Sequence, residues 1–177
     1  MNYNNTKIEL YKTLKNGISD IDINEKDLLN IKYVFFSDTD NLYYNLDKKQ
    51  YDDELIKELL NSYVTTYILN IHKIYNATNE ILLKMKVIEN MRIDYNYMPY
   101  DFRESYDYVH LSKKLFIDIL TQNRDYNLLI TDLNKIMDFY STIKNPKERK
   151  RKIATTKYRD SEIPKRILEA IKGVENE

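Results

Sequence analysis

Asp38 and Asp40, one residue apart, are the closest this chain comes to catalytic chemistry. They lie between two β-prone runs, Tyr33–Phe36 and Leu42–Leu46, and Ser37-Asp38-Thr39-Asp40-Asn41 is a turn-forming cluster, so the pattern predicts a small β-hairpin near 33–46, with one helix over Leu28–Phe36 ended by the Asp cluster as the alternative. Carboxylates exposed in such a turn offer hard oxygen ligands to Mg²⁺, as in a small metal-dependent nuclease or phosphotransferase. The same cluster is what an Asx-turn selects for local hydrogen bonding, and the turn is the stronger reading. His72 and His110 fall on separate predicted helices. Neither has a partner carboxylate, nucleophile or third ligand that the sequence can name, so both read as structural. With no cysteine and no Gly-x-Ser-x-Gly context, nucleophilic catalysis has no candidate. The expectation is a non-enzymatic protein with no catalytic residue, cofactor or metal.

Binding chemistry has a stronger signal. Between Lys144 and Arg166 stand ten basic residues against three acidic ones, so this window carries +7 in a chain of zero net charge and the remainder carries −7. Lys147, Arg149, Lys150, Arg151, Lys152, Lys157, Arg159, Lys165 and Arg166 are the candidate contacts. Side chains of this kind at this density neutralise phosphates and release their counterions, the main source of sequence-independent affinity for nucleic acid. An acidic protein surface would complement the same charges, and Lys147–Lys152 also resembles a nuclear-import signal.

A second group, Tyr95, Tyr97, Tyr100, Phe102, Tyr106 and Tyr108 with Arg92 and Arg103, mixes rings and guanidinium groups in the manner of base-stacking surfaces. Rings at a helix–helix corner more commonly pack on neighbouring helices, and that reading is preferred. The stretch from Tyr33 to Tyr43 resembles, over that stretch alone, the Asp-Thr-Asp strand-turn-strand of B-family DNA polymerases. A chain of 177 residues has no room for the rest of a polymerase palm.

The elements that must position these groups read as helices. Leu60, Val64, Tyr67, Ile71, Ile74, Thr78, Ile81, Met85, Ile88 and Arg92 recur at alternating steps of four and three. That spacing keeps one helix seam facing a partner, and Ile68, Tyr75 and Leu82 widen it into a bundle-type face. The predicted helix runs over about 53–93, a rod of about 60 Å. Asp52, Asp53 and Glu54 favour its start, Asn76-Ala77-Thr78-Asn79 predicts a kink or break, and Pro99 closes the region. Thr78 and Arg92 are polar interruptions of the kind that set register in a homodimer.

Upstream, Ile8–Leu14 predicts a short helix stopped at Asn16-Gly17 by a left-handed glycine, and Asn24 caps a second helix carrying Leu28, Leu29 and Ile31. Downstream, Asp101 would cap a helix in which Phe102, Tyr106, Val109, Phe116 and Leu120 share a face. Asn123–Asn127 reads as a loop, and Leu129, Leu133, Ile136, Tyr140 and Ile143 line a further helix ended at Asn145-Pro146. Ser161 would cap a last helix bearing Ile163, Ile167, Ile171 and Val174.

The whole is expected to be mainly α, a helical bundle built around one long helix. Residues 1–143 form its domain, and 144–177, a basic segment and C-terminal helix, pack on that domain. Two glycines and three prolines disfavour nucleotide-binding glycine loops. No apolar run approaches a membrane span and the N-terminus lacks a signal-type apolar stretch, so the expected location is cytoplasmic, away from membranes. The abundance of Asn, Lys, Ile and Tyr suggests an AT-rich genome. The functional expectation is binding of nucleic acid or a nucleoprotein complex through the basic segment, as a phage or mobile-element regulator or an inhibitor of a host defence complex would do. The alternative is a protein-binding or homodimerising helical module.

Overall fold

In the computed structural model, residues 1–122 and 124–141 are described, and they form six α-helices and one 3₁₀ turn with no strand among them. The helices are α1 (Tyr3–Gly17), α2 (Glu25–Lys48), α3 (Asp53–Asn90), α4 (Tyr100–Leu111), α5 (Leu115–Gln122) and α6 (Tyr126–Ser141), with the 3₁₀ turn at Tyr95–Tyr97. Chain contacts divide the described residues into two compact units, one of Met1–Asn76 with Phe116–Arg124, the other of Ala77–Leu115 with 125–141.

In the first unit, α1 packs on α2. Asn24 caps α2 by accepting the Asp27 amide at 2.8 Å, and Asp52 does the same for α3 from the Leu55 amide at 2.8 Å. The core comprises Leu10 and Leu14 of α1, Ile31 and Phe35 of α2, and Ile56, Leu60, Val64 and Ile71 of α3. The Phe35 ring sits among Tyr11, Tyr63 and Tyr67, with centroids 6.4, 6.4 and 5.3 Å away.

The expected hairpin does not form: both of its strands lie inside α2. Ile31, Phe35, Thr39 and Leu46 are its buried residues, at steps of four, four and seven, which is one helix face and not an alternating strand. Thr39 fits this face because its hydroxyl donates back to the carbonyls of Phe35 and Phe36, at 3.0 and 3.1 Å, so no polar group is left without a partner. Nothing in Ser37–Asn41 supplies the glycine or proline that would force a turn. The likeness to a polymerase strand-turn-strand disappears with the hairpin.

Gly17 also departs from expectation. It is the last residue of α1 and takes no left-handed conformation. It is small because α3 lies against it: a Cβ there would meet Ile68 Cδ1 at 2.5 Å. Residues 18–24 contain no strand.

In the second unit, α4 packs on α6, and Ser105 donates to Asp132 at 2.6 Å. Its buried residues include Ile81, Met85 and Ile88 of α3, Phe102 and Val109 of α4, and Leu129, Leu133, Ile136 and Tyr140 of α6. α3 stays helical through Asn76–Asn79, with no interruption of the helix, and Ala77 and Thr78 are buried there. Helix α3 ends at Asn90, and Arg92 follows in a left-handed turn with φ 53°, exposed and off the helix, so it sets no register. Pro99 stands at the N-cap position of α4 without a side-chain capping bond and Asp101 lies inside the first turn, while the face expected to run from Phe102 to Leu120 is split between α4 and α5 at Ser112-Lys113-Lys114. Asp125 caps α6 from the Leu128 amide at 3.0 Å.

Leu60, Val64, Ile71, Ile74, Thr78, Ile81, Met85 and Ile88 are all buried within the single chain. At these positions the four-three seam is therefore occupied within the chain. Leu82, expected to widen it, is exposed.

Candidate functional site

The nine basic residues Lys147, Arg149, Lys150, Arg151, Lys152, Lys157, Arg159, Lys165 and Arg166 lie outside the described residues, as does the expected C-terminal helix. The other sequence candidates are all described, and the fold separates several that the sequence had grouped.

Asp38 and Asp40 lie on α2 two positions apart, which turns them about 200° from one another around the helix axis. Asp40 points to α1, where it accepts from the Tyr3 hydroxyl at 2.5 Å and from Lys7 Nζ at 3.2 Å. Asp38 points to α3, toward Tyr63 and Tyr67. They cannot share a metal ion, and no group of three or more His, Cys, Asp or Glu side chains suited to one occurs among the described residues.

In the aromatic group at 95–108, Tyr95, Tyr100, Phe102, Arg103 and Tyr106 have structural neighbours. Arg103 is only 7% exposed, and its guanidinium donates to the Met98 carbonyl at 3.2 Å and the Asn96 carbonyl at 2.8 Å. Those bonds hold the 3₁₀ turn, while the Tyr95 and Tyr100 rings lie 5.2 and 5.9 Å from its centre. Tyr95 donates to Asp107 at 2.7 Å, and this bond, followed by burial, raises its phenol above the ordinary range. Tyr106 stacks on His110, and Phe102 is buried. A guanidinium committed to two carbonyls has little left for a base.

His72 Nε2 stands 2.8 Å from the Gly17 carbonyl. The carbonyl can only accept, so Nε2 carries the proton and ties α3 to the end of α1. His110 Nδ1 pairs with Glu89 at 3.5 Å.

The arrangement with free binding capacity was not legible as a site. Asp38 and Val34 of α2, Tyr63, Thr66, Tyr67, Leu69, Asn70 and Lys73 of α3, and Leu120 and Thr121 of α5 line an open bowl of about 550 Å³, all within the first unit. The positions on α3 follow helical spacing, which puts them on one stripe facing α2 and α5. Burial, and then the Asp38 charge, push the Tyr67 phenol up to about 12, and the same two causes raise Tyr63. Both phenols are thus neutral at physiological pH and act as hydrogen-bonding rings, not as bases or nucleophiles. The Thr121 hydroxyl donates to the Ile117 carbonyl at 2.6 Å, which leaves its oxygen to accept.

A second groove, of about 390 Å³, is lined by Leu29, Lys32, Tyr33, Phe36, Ser37 and Asp40 of α2. Tyr33 is 79% exposed and Leu29 57%. Among the described residues no helix is long and apolar enough to cross a membrane. Comparison with known protein families, curated proteins and solved structures finds no match for this chain.

Proposed function

We propose that this chain is a non-enzymatic interaction protein that binds nucleic acid or a nucleoprotein complex through Lys144–Arg166. The observation that carries this reading is the charge division: +7 within that window and −7 across everything else. A body of opposite sign repels phosphate backbone, so contact is concentrated on the basic window. The burial of the four-three seam within the chain supports it further over a homodimer through that seam. The separation of Asp38 from Asp40 removes the geometry on which the metal-dependent nuclease depended. A cytoplasmic regulator encoded by a phage or mobile element, or an inhibitor of a host defence complex, is the setting that suits a basic contact segment on a helical scaffold.

The test is fluorescence anisotropy of the full chain against short labelled single- and double-stranded DNA and RNA over a range of salt. The expected log–log salt slope is about −4 to −6, as for several phosphates neutralised. Replacing Lys150, Arg151 and Lys152 together with Gln should weaken binding about tenfold or more with an unchanged melting temperature. Absence of binding at low salt would overturn the reading. It would favour the alternative, a protein-binding module, for which the exposed Leu29 and Tyr33 on α2 speak.

A further inference from the structure

The bowl on the first unit supports an inference that does not depend on the basic segment. Its wall holds the half-buried Asp38 carboxylate, and among the described residues no cation pairs with it. A carboxylate drawn partly out of water without a countercharge is left with unmet attraction for one. The groups around it are rich in acceptors: two carboxylate oxygens, the Asn70 side-chain carbonyl, and the Thr121 oxygen, whose hydrogen is already committed. Aromatic rings flank the carboxylate, and ring faces attract cations electrostatically. The apolar part of the lining, Val34, Leu69 and Leu120, suits methylene groups.

These features exclude as much as they select. An anion would meet Asp38 directly, and a neutral ligand would leave that charge uncompensated. A divalent ion would want further carboxylates, which the described residues do not gather here. Lys73 is the one lining group of the wrong sign. It is exposed, lies six residues beyond Tyr67, about 9 Å further along α3, and makes no ion pair with Asp38.

We propose that this bowl binds an organic cation bearing several N–H donors on an apolar stem, with Asp38 as its charge partner and Asn70 and Thr121 as additional acceptors. Two sources share that chemistry: a free polyamine, and an arginine side chain presented by a partner protein. The volume, about 550 Å³, lies in the range of small-molecule sites and admits either.

The experiment is calorimetric titration of the full-length protein with spermidine and with N-acetyl-arginine amide, alongside N-acetyl-citrulline amide as a nearly isosteric neutral probe. Saturable binding of a cation at least tenfold tighter than the citrulline probe is expected. Tighter binding of spermidine would identify a free amine as the source, and tighter binding of the arginine amide a protein side chain. Asp38→Asn should weaken the preferred cation tenfold or more, while Lys73→Gln leaves it unchanged or strengthens it by a few-fold. Nuclear magnetic resonance of the wild-type protein gives a readout without any variant: the ring signals of Tyr63 and Tyr67 should shift before those of Tyr33 or Tyr100. Equal binding of arginine and citrulline amides, no saturable binding of either cation, or shifts confined to other tyrosines would overturn the proposal. So would an Asp38→Asn protein that keeps its helical circular dichroism and its full affinity.

Discussion

Gly17→Ala adds one methyl group and should nonetheless destabilise the first unit. The added Cβ would lie 2.5 Å from Ile68 Cδ1, 2.9 Å from Cγ1 and 3.0 Å from Cγ2, whereas carbon atoms prefer about 3.5–4.0 Å. A flexible chain end could swing aside, but two of these atoms sit on the branch of Ile68, whose χ1 is stiff in a helix. Relief therefore requires the end of α1 to retreat from α3. That retreat stretches the 2.8 Å bond between His72 Nε2 and the Gly17 carbonyl. Overpacking of this kind costs about 1–3 kcal/mol, and the weakened bond adds up to about 1 kcal/mol. Alanine's better helix propensity returns at most about 1 kcal/mol, so the net loss should be about 1–3 kcal/mol. Urea unfolding followed by circular dichroism measures it, with a melting temperature lower by about 2–10 °C as the companion reading. The decisive comparison repeats the substitution in an Ile68→Ala background, where the obstructing atoms are gone and Gly17→Ala should become neutral or mildly stabilising. If Gly17→Ala costs the same in both backgrounds, or stabilises the protein with Ile68 in place, the close-approach explanation fails.

The seam and the buried phenols lead to two further expectations. Ile71→Ala, at a fully buried seam position, should cost about 2–5 kcal/mol of stability, independent of protein concentration, with light scattering reporting a monomer before and after. A wild-type dimer at micromolar concentration that this substitution dissociates would contradict internal use of the seam. Tyr67, raised to about 12 chiefly by burial and then by Asp38, binds its proton more tightly folded than unfolded. Its contribution to stability is whole below about pH 10, its ordinary value, and is lost as pH climbs from there toward about 12. Ultraviolet titration of phenolate should show Tyr67 ionising late, well above pH 10, together with loss of helical signal. A Tyr67 that titrates near pH 10 in the folded protein would refute this.

Local rules made part of the fold legible. Asn24 was readable as a cap because a short polar side chain before an acidic, apolar-periodic run has one preferred use, whereas Asp52 was readable only as negative charge at the start of α3 and proves to cap it. The seam from Leu60 to Ile88 was readable because its period persists over many turns. The 33–46 region was misread because the buried face of α2 places Thr39 between Phe35 and Leu46, so the apolar period is broken by a residue whose hydroxyl satisfies itself on its own helix. Aromatic residues on the other faces of α2 then imitate strands. Gly17 could not be read at all, since its reason is a neighbour fifty-one positions away. The bowl was half visible. Asp38 stood out, but sequence proximity attached it to Asp40, while its true neighbours come from α3 and α5 and no spacing rule joins them.

The tyrosines illustrate where composition misleads. Seventeen of them in this chain suggest codon usage, which explains why tyrosine is available but not where it is placed. Tyr3 donates to Asp40, Tyr95 donates to Asp107, and Tyr63 and Tyr67 face Asp38. Asp40 has Lys7 beside its phenol, whereas Asp107 is held by, and Asp38 set against, phenols where a lysine-rich chain would ordinarily supply lysine. A phenol gives a carboxylate a hydrogen bond without cancelling its charge, so Asp38 keeps its full attraction for an outside cation, whereas a lysine partner would neutralise it. On this account the pairing of ring and carboxylate is what leaves the bowl electrostatically open, and replacing a tyrosine there with lysine would close it.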